Sequence, residues 1–276
     1  MLVIDSQVHI WENHRAGRPW PEPTTPRVDW PDGYSAESML EEMDAVGVDR
    51  TVIVPPVWVG NSNETGLEAA NTYPGRFAVM GRFDPTLPDV TRRLRTWLEQ
   101  PHMLGIRMSL SRPPHSKLLD DDMLDEFWAA CERFGIPVMI FAGRTIEKLR
   151  PVTLRYPGLN LVIDHMGCDL GAKGRDAFAK MDVVLELAKN SNVSLKLSMA
   201  PNLSRGPFPY TDINPFLRRM YDAVGPRRIM WGSDRTNLTN YTDCLRHVTD
   251  GLGFLSADDK IWILGKTAAT VLNWKA

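Results

Sequence analysis

The chain has 276 residues, 43% of them hydrophobic and 24% charged, with 32 Lys and Arg against 34 Asp and Glu. This is ordinary globular composition. A disordered chain would need lower hydrophobicity and more net charge, and a formal net charge of −2 argues against nucleic-acid binding driven by a bulk basic surplus.

The opening Met1-Leu-Val-Ile-Asp-Ser-Gln-Val-His carries neither a basic segment nor a long apolar stretch, so it does not read as a secretion signal. No run approaches the roughly 18 apolar residues that argue for a membrane span. The expectation is a cytoplasmic protein with no membrane or nucleic-acid partner. Cys131, Cys168 and Cys244 are odd in number and far apart, which argues against a disulfide framework or a thiolate zinc site.

Eight short apolar or β-branched runs follow one another: Leu2-Val-Ile, Thr51-Val-Ile-Val, Phe77-Ala-Val-Met, Leu104-Gly-Ile, Pro137-Val-Met-Ile-Phe, Asn160-Leu-Val-Ile, Val193-Ser-Leu-Lys-Leu and Arg228-Ile-Met-Trp. They recur about every 30 residues, the length of a βαβ unit. Continuous apolar runs mark strands buried on both faces. The stretches between them read as helices. Ser35 is a candidate N-cap, with Gly47 as the stop. Residues 121–134 place Met123, Leu124, Phe127, Trp128 and Cys131 on one stripe. The stretches 145–155, 176–189 and 215–224 are similar.

This predicts an α/β fold, a (β/α)8 TIM barrel formed by residues 1–276 as one domain. The alternative, an open doubly wound sheet, usually carries a Gly-rich turn after its first strand, and Asp5-Ser-Gln-Val-His has no glycine. Residues 12–34 form one long irregular segment with Pro19, Pro21, Pro23, Pro26, Pro31, Trp20 and Trp30. It reads as a Pro/Trp-rich loop after strand 1, a lid or pocket wall.

Barrel enzymes gather reactive groups where the strands end. Here those positions hold Gln7 and His9 after strand 1, Arg107 on strand 4, Asp164-His165 after strand 6, Lys196 on strand 7 and Asp234 after strand 8. Such groups are costly to bury unpaired, so their convergence points to a functional site. Two structural readings stay open: Asp234 could cap a helix or pair with Arg235, and Arg107 could sit in an ion pair. His14, His102, His115 and His247 fall in loops or helices and read as surface residues.

At Ile4-Asp-Ser-Gln-Val-His-Ile-Trp, Val162-Ile-Asp-His-Met-Gly, Lys196-Leu-Ser, Trp231-Gly-Ser-Asp and the closing Asn273-Trp, the chain resembles the amidohydrolase superfamily, and within it the amidohydrolase-2 group. That group includes 2-pyrone-4,6-dicarboxylate lactonase, sugar-lactone lactonases and zinc-dependent decarboxylases. The resemblance covers nearly the whole chain and is closest to the dicarboxylate lactonase from strand 4 onward. It implies a TIM barrel with hydrolysis or decarboxylation at the strand ends.

The departures are informative. The group's first motif is usually His-x-His, and here position 7 is Gln, a weak ligand for zinc. Strand 5 offers no bridging carboxylate, which argues against two metals. The expectation favours no cofactor. If one zinc or manganese ion were bound, His9, His165, Asp234 and Gln7 would hold it.

The sequence therefore predicts a lactonase or cyclic-ester hydrolase acting on a small catabolic acid. Asp234, its pKa raised in an apolar pocket, would take a proton from water. Arg107, His165 and His9 would polarise the carbonyl and stabilise the oxyanion. Gln7, Arg82, Arg112, Trp20, Trp58, Tyr210 and Asn202 are the substrate-binding candidates. The arginines that follow the strand 6 and strand 7 motifs in the dicarboxylate lactonase look replaced by Cys168 and Asn202, which implies a less acidic substrate. The strand-end methionines Met80, Met108, Met139, Met166, Met199 and Met230 read as core filler or as an adaptable pocket wall. The alternatives are a mononuclear metal-dependent decarboxylase and a non-catalytic ligand-binding barrel. A small molecule is the expected partner, and a homodimer is carried as an open expectation because many barrels dimerise.

Overall fold

The structure is a computed structural model, and it describes residues 1–14, 17–21, 33–120, 122–237 and 240–275. Eight strands form one parallel sheet in sequence order: β1 Ile4–Val8, β2 Arg50–Ile53, β3 Phe77–Gly81, β4 Met103–Ser109, β5 Val138–Phe141, β6 Leu161–Ile163, β7 Val193–Ser198 and β8 Ile229–Gly232. Each of the eight apolar runs overlaps a strand, because the strands are buried between the barrel interior and the outer helices; the first run meets β1 only at Ile4, and Leu2 is exposed.

The ends of the sheet meet. Val8 bridges Arg235 in parallel, and the Gln7 carbonyl accepts from Asp234 N at 2.8 Å. Gly232 lets β8 come this close to β1: a Cβ there would lie 2.8 Å from Ser6 Oγ. Asp5, fully buried, accepts from Ser233 N at 2.8 Å and from Gln7 N at 3.0 Å. Burial pushes its carboxyl up to about 6, even though the hydrogen bonds from Ser233 and Gln7 oppose the shift.

The helices follow the expected punctuation. The helix Ala36–Val46 starts at Ser35, whose side chain accepts from Ser38 N, and stops at Gly47 in the left-handed region, φ 78°. The helix of the 121–134 stretch begins later, at Asp125, and ends against Gly135 at φ 64°. Residues 145–155 divide into a 3-10 turn, Ile146–Leu149, and a helix, Arg150–Arg155.

The barrel interior below the mouth is apolar. Met80, Met139 and Met230 are fully buried there with Ile4, Val52, Ala78 and Val162, so these methionines are core. Side chains alternate along a strand. Two residues beyond Met80 stands Arg82, and two beyond Val162 stands Asp164. The apolar series thus turns polar where the strands end.

Of the Pro/Trp segment, residues 15–16 and 22–32 lie outside the described residues, and with them the expected roles of Pro23, Pro26, Trp30 and Pro31. Its two ends are tied: Trp11 N donates to Tyr34 O at 3.0 Å and Tyr34 N to Trp11 O at 2.9 Å. The three cysteines are buried free thiols. Among the described residues, no helix is long and apolar enough to cross a membrane.

Candidate active site

The chain reverses sharply after β6 and β8, and these reversals aim the reactive side chains. His165 and Met166 adopt φ 50° and 56°, and Asp234 adopts φ 63°. Non-glycine residues in this region are strained, and such strain persists where the surrounding structure over-determines it. His165 and Asp234 end up 2% and 1% exposed.

Asp234 is gripped by three side chains, two from β1 and its end and one from the loop after β8. His9 Nε2 donates to Oδ1 at 3.0 Å, Gln7 Nε2 to the same oxygen at 2.7 Å, and Asn237 Nδ2 to Oδ2 at 2.9 Å. The other ring nitrogen of His9, Nδ1, lies 2.7 Å from the Val54 carbonyl, so His9 faces an oxygen acceptor on both sides. Arg235 turns away and forms a bidentate pair with Glu42.

Burial alone would push the Asp234 carboxyl up. The charge of His165, the hydrogen bond from His9 and the Asn237 amide outweigh it and hold the group well below the ordinary carboxylate range. This is opposite to the raised pKa that an apolar pocket predicts, because the immediate surroundings of this carboxylate are imidazole and amide rather than hydrocarbon.

A second network lies beside the first. Lys196, fully buried, places Nζ 2.8 Å from Asp164 Oδ1, 2.8 Å from Gln7 Oε1 and 2.9 Å from Met139 Sδ. Arg107 Nε donates to Asp164 Oδ2 at 3.0 Å. Burial would raise the Asp164 carboxyl, but Lys196 and Arg107 outweigh it and hold it below its ordinary value. Burial lowers the Lys196 ammonium despite Asp164. The ion-pair reading of Arg107 is therefore realised alongside its position at the mouth.

His165 joins the two networks. Its Nδ1 lies 2.8 Å from Ser198 Oγ and its Nε2 3.5 Å from Gln7 Nε2. The Phe141 ring packs edge-on against it, centroids 5.5 Å apart. Burial holds the imidazole below its usual pKa, only partly opposed by Asp234 and Asp164.

The structure brings together the strand-end groups His9, Gln7, Arg107, Asp164, His165, Lys196 and Asp234, and it adds Ser198 and Asn237. Asn202 acts at one remove, its Nδ2 donating to the Asn237 carbonyl at 3.1 Å. Arg82 lies buried beside Arg107 on a cavity of about 250 Å³. Arg112 stands exposed on the loop after β4, its charge felt at Asp169. Trp20 lines a separate groove with Trp11, Glu12 and Arg18. Trp58 packs edge-on against Trp11 at 5.2 Å, and Tyr210 against His247 at 5.3 Å. His247 is buried, not a surface residue: Nε2 meets Asn214 Oδ1 at 3.0 Å, and burial lowers its pKa to about 4.

A family model described as amidohydrolase matches residues 4–274. The chain belongs to the amidohydrolase family. It is an enzyme of the hydrolase type. It is 29% identical to 4-sulfomuconolactone hydrolase of Hydrogenophaga intermedia over 78% of this chain and 69% of that one. It is 28% identical to L-fucono-1,5-lactonase of Burkholderia ambifaria over 84% of this chain and 79% of that one. A Burkholderia multivorans amidohydrolase solved with bound zinc shares the fold, with a TM-score of 0.82 and 24% identity over 99% of both chains.

The donor set of this amidohydrolase does not suit the zinc carried by that structure. Zinc is held by imidazole, thiolate or carboxylate. Among the described residues, no three His, Cys, Asp or Glu side chains are grouped to hold a metal ion. Gln7 offers a neutral amide rather than an imidazole, and that amide is committed on both sides. Oε1, the atom that would face a cation, accepts from the Lys196 ammonium, while Nε2 donates to Asp234.

Proposed function

We propose that this protein hydrolyses a lactone or related cyclic ester of a small catabolic acid, using its own side chains rather than a metal ion. The observation that carries the reading is the buried His9–Asp234–Gln7–His165 cluster at the barrel mouth. The two lactone-hydrolysing relatives support the substrate class.

In this reading Asp234 orients the attacking water. Oδ1 is occupied by His9 and Gln7, so the water uses the second lone pair of Oδ2. As the water oxygen bonds to the ring carbonyl, its proton passes to Asp234. A carboxylate held so acidic is a weak resting base, and its hydrogen bond with His9 serves chiefly to fix geometry. His165, its ring fixed by the Ser198 hydroxyl at Nδ1 and the Gln7 amide at Nε2, and Arg107 lie beside the developing oxyanion and stabilise its charge. When the tetrahedral intermediate collapses, the ring C–O bond breaks. Asp234 returns the proton to the leaving oxygen, and the product is the open hydroxy acid.

Lys196 supplies the fixed positive charge behind Gln7. Its contacts favour this reading over a mononuclear decarboxylase, which needs a cation where the ammonium already engages the amide. The test is a ring-opening assay over a panel of small lactones. Asp234→Asn should lose about 10²–10⁴-fold in kcat, the contribution typical of a general acid–base group, with its fold retained by circular dichroism. A wild-type rate in that variant, or no turnover of any lactone by the wild type, overturns the proposal.

A further inference from the structure

Arg82 follows β3 directly. Its backbone is clamped by one side chain: Arg82 N donates to Asn63 Oδ1 at 2.7 Å, and Asn63 Nδ2 donates to the Arg82 carbonyl at 3.0 Å. In the β3–β4 ladder Gly81 is registered with Ile106, so Arg82 and Arg107 stand side by side at the next rung. Arg82 is 8% exposed, and its Nε and Nη1 are buried without a hydrogen-bond partner. Burial, and then the neighbouring Arg107 charge, lower its pKa to about 10, which leaves it cationic at neutral pH.

A buried guanidinium beside a second one is costly unless an anion pairs with it. The fold supplies such an anion to Arg107, through Asp164. It supplies none to Arg82 among the described residues: Asp84, on the same cavity, accepts from Thr86 N at 2.9 Å and from the Thr86 hydroxyl at 2.6 Å. Arg82 and Arg107 both line the cavity of about 250 Å³, together with Phe83, Ser109 and Leu118. That is room for a small acidic group against an apolar wall.

We propose that Arg82, with Arg107 beside it, is an oxyanion receptor that holds a carboxylate or sulfonate borne by the substrate away from the ring being opened. The planar fork of Arg suits bidentate pairing with such groups. The inference deepens the lactone-hydrolase reading: it selects acid-bearing lactones over neutral ones, and Arg107 is shared between this receptor and the catalytic cluster.

Binding tests the receptor independently of turnover. Acetate, succinate and glutarate are titrated calorimetrically and by thermal shift into wild type, Arg82→Met and Arg82→Lys, with glutaramide as the uncharged control. At least one acid should bind wild type and glutaramide should not. Arg82→Met should weaken that binding about 10- to 100-fold, the scale of charged hydrogen bonds, and Arg82→Lys by less. Arg82→Met should melt no lower than wild type, because it removes an unpaired buried charge. In turnover, the kcat/KM preference for an acid-bearing lactone over its neutral counterpart should fall through KM. Equal acid binding by wild type and Arg82→Met, equal binding of glutaramide, or no binding of any acid to wild type overturns the receptor. A lactone panel without turnover would overturn the hydrolase reading and leave the binding result standing.

Discussion

The two sides of the barrel mouth are built on opposite rules. On the β1–β6–β7–β8 side the two buried carboxylates at the mouth have partners: Asp234 has His9, Gln7 and Asn237, and Asp164 is ion-paired with Lys196 and Arg107. On the β3–β4 side Arg82 is buried with two nitrogens unmatched. A saturated network fixes atoms in place, which is what acid–base chemistry needs. An unsaturated one holds binding free energy in reserve for a ligand that brings the missing charge. On the proposals made above, the difference separates the part of the site that reacts from the part that selects.

The comparison breaks most visibly if the saturated side is opened. Lys196→Met leaves Asp164 with Arg107 alone and frees Gln7 Oε1. Removing one partner of a buried pair costs about 3–5 kcal/mol, so chemical denaturation should show a loss of that size. A change under about 1 kcal/mol, the level of a surface pair, would mean that the ammonium is not the centre of the network. A smaller effect, on rate, is expected from Ser198→Ala. Loss of the hydroxyl at His165 Nδ1 should lower kcat about 10- to 100-fold, the range for groups that orient a functional imidazole. Ser198→Thr should recover part of it, and a KM effect alone would contradict the orienting role.

The pH dependence of stability sharpens the comparison further. Asp164 and Asp234 are held below their ordinary pKa. The stability they contribute is present above the unfolded value of 3.8 and is lost as pH falls through the lower folded values. Asp5 is opposite in sign, raised from 3.8 to about 6. Its contribution is complete below 3.8 and is lost as pH rises through about 6. Between those two pH values it removes up to about 3 kcal/mol. Unfolding free energies of Asp5→Asn measured from pH 4 to pH 7 should lack that decline, and a slope unchanged from wild type would show that Asp5 does not titrate there.

Much of this was legible in the sequence. All eight strands could be read because burial on both faces leaves an apolar run. The placement of His9, His165 and Asp234 followed from motifs at the ends of those runs. What could not be read depended on partners far away in the chain. The Asp234 carboxyl is lowered by groups after β1, β6 and β8, so its own neighbourhood gave the wrong sign. Lys196 sits in an apolar run, which marked it as buried, but its partners Gln7 and Asp164 are visible only once the barrel closes. Arg82 and Arg112 both follow strands and looked equivalent. The strand register puts one beside Arg107 and inside, and the other on an exposed loop. His247 looked like a surface histidine because its helix shows no signal of the Asn214 side chain it meets.

The central claim is that the chain's own side chains carry the reaction. It is tested most directly by lactone ring opening with protein treated with a chelator and checked by elemental analysis. The account predicts an undiminished kcat/KM with zinc and manganese far below one per chain. Activity that disappears on chelation and returns in proportion to added zinc or manganese would contradict it.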